Sequence, residues 1–160
     1  MKKLVFVLLA FLAFACSKSD EFSAVYWDPS FSFSLYSPDN EDLLSPETAD
    51  NYDSDGIKLF YKIGSQEIEV YENHLEYPRR FTIIEHENEY RIEVDLNYSE
   101  TPKKSITYIQ WTEEDKDTIE ALFEQTERSR LLREVWFNGE LIWDCTFGEH
   151  KYYRITKERP

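Results

Sequence analysis

The chain has 160 residues, 18 Lys and Arg against 32 Asp and Glu, and a formal charge of −14. Such a balance excludes the Lys- and Arg-driven phosphate contacts of nucleic-acid binders, and it argues against adhesion by charge to anionic lipid. Four glycines leave little room for a glycine-rich phosphate loop.

Met1-Lys2-Lys3 is a short basic stretch, and Leu4 to Ala15 is wholly apolar. Twelve helical residues reach roughly 18 Å at about 1.5 Å each, short of a hydrocarbon core of about 30 Å. The run therefore has the length and order of a secretory signal peptide, residues 1–15, with small residues Ala13 and Ala15 before the cut. Removing it takes away Lys2 and Lys3, so 16 basic against 32 acidic residues leave a mature charge of −16. The remaining length is enough for one domain with its own core.

Ala13-Phe14-Ala15-Cys16 resembles the lipobox of bacterial lipoproteins, with Ala13 where Leu is usual and Leu12 one position earlier. The resemblance implies cleavage before Cys16 and acylation of its thiol. The same residues also satisfy ordinary signal cleavage, which leaves Cys16 unmodified. Ser17-Lys18-Ser19-Asp20-Glu21 is similar to the acidic export segments of Bacteroidota lipoproteins. An outer-membrane destination, including the cell surface, is what that similarity implies. Residues 16–30 are expected to be the lipidated cysteine and its tether, and 31–160 a single β domain. With Cys16 acylated, Cys145 has no partner for an intrachain disulfide, and it is expected as a small buried hydrophobe.

Phe31 to Tyr36 alternates apolar and polar residues, the pattern of a half-buried strand. Residues 37–56 carry Pro38, Pro46, Gly56 and many acids, and read as a long loop of functional or mobile character. Asp50 to Gly56 is not an EF-hand. Counted from Asp53, the fifth and sixth positions are Ile57 and Lys58. Ile57–Ile63 and Gln66–Glu72 flank Gly64-Ser65, a turn that suits a hairpin. Its predicted register sets Tyr61 opposite Ile68 and Leu59 opposite Val70, with charged pairs on the other face. Phe81–His86 and Glu89–Leu96 make a second pair, Ile83 opposite Ile92 and Phe81 opposite Val94.

Ser105–Trp111 is a further strand. Thr112–Thr126 fits either a capped helix or a strand, and hairpin-like neighbours favour strand from Thr118. Asn138-Gly139 is the strongest hairpin signal in the chain. Unbroken alternation around it sets Trp136 opposite Leu141, Glu134 opposite Trp143 and Val135 opposite Ile142. Lys151–Thr156 is a last strand. Sequential hairpins with no βαβ pattern predict an all-β fold. The expected form is an antiparallel β-sandwich, immunoglobulin-like in layout, of about eight strands. The alternative is a small closed or partly open barrel.

No Gly-x-Ser-x-Gly or His-Glu-x-x-His motif occurs, and His74, His86 and His150 are scattered. No catalytic residue, cofactor or metal site is expected. The candidate ligand surface is Trp136, Leu141 and Trp143, which share one face of the last hairpin. Exposed, they form an aromatic platform for sugar rings or a protein; otherwise they belong to the core. The signal region, the acidic segment and the Trp136–Trp143 hairpin together resemble the small β-rich lipoproteins abundant in Bacteroidota. The expectation is a lipid-anchored, non-enzymatic envelope module. Its membrane contact is its lipid, its partner a glycan or an envelope protein, and nucleic acid is no partner. A purely structural envelope component is the alternative, and a carboxylate-based hydrolase the remotest reading.

Overall fold

A computed structural model describes residues 26–99, 104–148 and 150–158. The signal peptide, Cys16 and the tether up to residue 25 lie outside the described residues. Eleven strands build two packed sheets: β1 Tyr26–Trp27, β2 Ser30–Tyr36, β3 Lys58–Ile63, β4 Gln66–Glu69, β5 Phe81–His86, β6 Glu89–Asp95, β7 Ser105–Gln110, β8 Lys116–Gln125, β9 Ser129–Phe137, β10 Glu140–Asp144 and β11 Tyr152–Thr156. The first sheet runs β1-β9-β8-β7-β3-β4, with β10 also on β9; the second runs β11-β2-β6-β5. Because β8 lines β9 along its length, β1 and β10 share the opposite side of β9, one near each end. The fold is a sandwich and not a closed barrel.

Two pairings are parallel, β1 with β9 and β11 with β2. Both join strands that are distant in sequence, which no hairpin argument reaches. A β7-β8-β9-β10 meander in one sheet also sets the strand order apart from the Greek key of immunoglobulin domains. Tyr26–Ser30, expected within the tether, belongs to β1, β2 and the link between them.

Alternation puts Phe31, Phe33 and Leu35 of β2 and Ile92 and Val94 of β6 against Leu59, Ile109, Ile119, Ala121, Phe123 and Val135 of the first sheet. Burying a side chain of the larger kind contributes about 1.5–3 kcal/mol. The first two hairpins have the predicted registers, Tyr61 opposite Ile68 and Ile83 opposite Ile92. Gly64 takes the positive φ of its turn, 62°. Residues 111–114 bend and the 116–125 segment is strand, so the helical alternative fails there. The 37–56 segment packs on the core. It folds back over one end of the core, burying Leu43, Leu44 and Tyr52, with Leu43 N donating to Leu35 O and Tyr52 N to Leu43 O.

Candidate functional site

Of the two alternatives for Trp136, Leu141 and Trp143, an exposed aromatic platform is not what the last hairpin forms. Trp136 does pair with Leu141, but Trp143 pairs with Val135, because a bulge at Ile142 inserts one residue into β10. A bulge breaks the alternation and re-aims the side chains beyond it. Ile142 and Trp143 both point into the core, each 4% exposed. The Trp143 ring packs on Phe31 and its Nε1 donates to His150 O. Leu141 stays exposed, and half-buried Trp136 is covered by Lys104, whose Nζ lies 3.3 Å from the ring centroid. Cys145 is likewise exposed rather than buried, in the turn after β10, with Arg133 Nη1 3.6 Å from its Sγ.

A pair of buried carboxylates does exist. Asp115 and Asp117 flank Lys157, whose Nζ donates to both at 2.7 Å. Tyr52 OH donates to Asp115, while Trp111 Nε1 and Asn138 Nδ2 donate to Asp117. All four carboxylate oxygens are thus engaged. The cluster ties the C-terminal segment, the 37–56 segment and the last turn together, and it leaves no lone oxygen to take a substrate proton. Among the described residues no group of three or more His, Cys, Asp or Glu could hold a metal ion.

The arrangement that can bind something lies on the outer face of the second sheet. With Phe31 and Phe33 turned inward, β2 turns Ser30, Ser32 and Ser34 outward, and β6 turns Glu89, Arg91 and Glu93 the same way. β11 adds Tyr152 beside Ser32, and β5 adds His86 opposite Glu89. Among these side chains runs a cleft of about 550 Å³. Ser30 and Ser32 of β2, Arg91 and Glu93 of β6, Tyr152 of β11 and the adjoining His86, Glu87, His150 and Lys151 line it. Two of the three histidines therefore meet here, while His74 sits by Glu72. A larger recess of about 890 Å³ at the end of β8 is open and shallow, and its Arg133 is spent on Glu124.

Glu89 organises the cleft from behind. Arg91 Nε donates to Glu89 Oε1 at 2.6 Å and the guanidinium lies 3.9 Å from the Tyr152 ring centroid. Tyr152 OH donates to Glu89 at 2.9 Å and lies 2.8 Å from Ser34 Oγ. Burial pushes the Glu89 carboxyl up, but the hydrogen bonds from Arg91 and Tyr152 outweigh it and hold it below the usual carboxylate range. Burial also pushes the Tyr152 hydroxyl up, helped by Glu89. Neither Nη group of Arg91 has a partner among the described residues. His86 Nδ1 is the single buried side-chain polar atom without a hydrogen bond among them.

A second surface lies across the loops between β4 and β5. Tyr71 and Tyr77 flank a recess of about 440 Å³ and are 64% and 50% exposed. Arg79 Nη1 donates to Ser54 O, Asp55 O and Ile57 O, fixing the adjoining loop. Sequence reasoning missed both surfaces. The only signal for the cleft was the polar alternation of β2 and β6, which marks any solvated sheet face. Compared with protein-family models, curated proteins and solved structures, the chain matches none.

Proposed function

We propose that the protein is a lipid-anchored outer-membrane module that binds a glycan, without turnover, through the cleft on the outer face of the second sheet. The signal-like first 15 residues and Cys16 support the anchor. The observation that carries the binding reading is the pre-set polar lining. Ser32 offers a hydroxyl and Glu93 a carboxylate beside an oriented Arg91, the mixture of fixed donors and acceptors that a polyhydroxylated ligand needs. A glycan array with the full chain in mild detergent tests it. Binding that is lost in Arg91→Met supports the reading, and a blank array sinks it. Intact-mass measurement of the mature N-terminus tests the anchor. An unmodified Cys16 would leave a secreted protein instead of an anchored one.

One observation favours a second reading, a protein partner at Tyr71 and Tyr77. Tyrosines this exposed on one recess suit a protein interface, where aromatic residues are enriched. Cross-linking in intact cells that is abolished by Tyr77→Ser but kept in Arg91→Met would favour it.

A further inference from the structure

Resting on the glycan reading, we propose that the cleft selects an acidic sugar, with the sugar carboxylate on the free Nη pair of Arg91 and its hydroxyls on Glu93 and Ser32. Arg91 is built as a fork. Its Nε is committed to Glu89, its plane is laid on Tyr152, and its side chain is only 20% exposed. What remains are two parallel N–H groups at the cleft wall, the geometry that receives a carboxylate through both oxygens. The anchoring pair holds the guanidinium still before ligand arrives, so little side-chain freedom is lost on binding.

The rest of the lining decides what kind of anion fits. Glu87 and Glu93 line the same cleft, and an ionised carboxylate can only accept hydrogen bonds. They repel a compact, multiply charged anion such as phosphate, and they welcome hydroxyl donors. Lys151 adds no free charge, because its Nζ is paired with Asp28. A neutral sugar would serve these acceptors but leave the Arg91 fork empty. A ligand with one carboxylate and several hydroxyls on each sugar uses both.

Isothermal titration of the full chain in mild detergent, at neutral pH and moderate salt, tests this with three probes: an oligogalacturonate, its methyl ester and inorganic phosphate. Oligogalacturonate should bind about tenfold or more tightly than the ester, and phosphate should not compete. Arg91→Lys keeps the charge but loses the fork, and should cost about tenfold toward the oligogalacturonate alone. Since that change also disturbs Glu89, Ser32→Ala serves as a variant that leaves the Glu89 contacts in place, and it should weaken both sugars. Equal affinity for acid and ester would overturn the acidic selectivity and leave the glycan reading standing. Competition by phosphate would overturn it as well. Failure of both sugars to bind would overturn the acidic-sugar assignment, and a blank glycan array beside it would remove the glycan reading itself.

Discussion

Glu89 shows how one residue sets a surface. Its carboxylate orients Arg91 and Tyr152 together, and the donors that orient them also keep it ionised. Asp28 is in the same position: burial pushes it up, and Lys151 and Ser30 hold it below its ordinary value. A carboxyl held down in the folded state adds stability that is present above its unfolded value and is lost as pH falls through the folded one. Urea midpoints should therefore hold from pH 7 to about pH 5 and fall below about pH 4.5, and Glu89→Gln should shrink that fall. A flat profile in the wild type would contradict the assignment. Lys157 is the counterpart on the buried side. Lys157→Met strands Asp115 and Asp117 without their cation, and should cost about 3–5 kcal/mol in urea unfolding. None of these roles was legible in the sequence. Asp115, Asp117 and Lys157 are ordinary surface-type residues until the fold brings position 157 back to 115.

At the level of elements, alternation told nearly the whole story of the first two hairpins and misled on the last. Asn138 and Gly139 turn where the sequence put the turn, both with positive φ, 50° and 85°. No atom lies within 4 Å of a Cβ at Gly139, so Gly139→Ala should cost only the conformational penalty, about 1 kcal/mol. Beyond the turn, the extra residue at Ile142 shifts the register by one, and a bulge carries no signature in a run of Glu-Leu-Ile-Trp-Asp. Substitution separates the two registers. Trp143→Ala should cost about 3–5 kcal/mol by emptying core space, and Leu141→Ala should stay within about 0.5 kcal/mol. Thermal or urea midpoints with the two costs reversed would restore the unbulged pairing.

For the molecule as a whole, β11 is the element on which both faces depend. It lies parallel to β2, carries Tyr152 to the cleft, and leads into Lys157, which closes the buried ion cluster. Truncation after His150 should abolish cooperative unfolding and near-ultraviolet circular dichroism, because β2 becomes an edge and the Trp111 surroundings lose their cation. A truncated chain with a sharp native-like transition would show β11 to be dispensable. The sequence by itself determined the class of fold, most strand positions, two hairpin registers and one turn. Those features are local: alternation and turn chemistry act between residues a few positions apart, and each states its preference without the rest of the chain. It also determined the acidic surface and the signal-like first residues, which depend on composition and order alone. Only the tertiary structure decided the two parallel pairings, the burial of Trp143, the folding of residues 37–56 onto the core and the meeting of His86, Arg91 and Tyr152 in one cleft. Each of these requires segments far apart in the chain to find one another. Their energies come from burial and shared hydrogen bonds that exist only after the two sheets have packed.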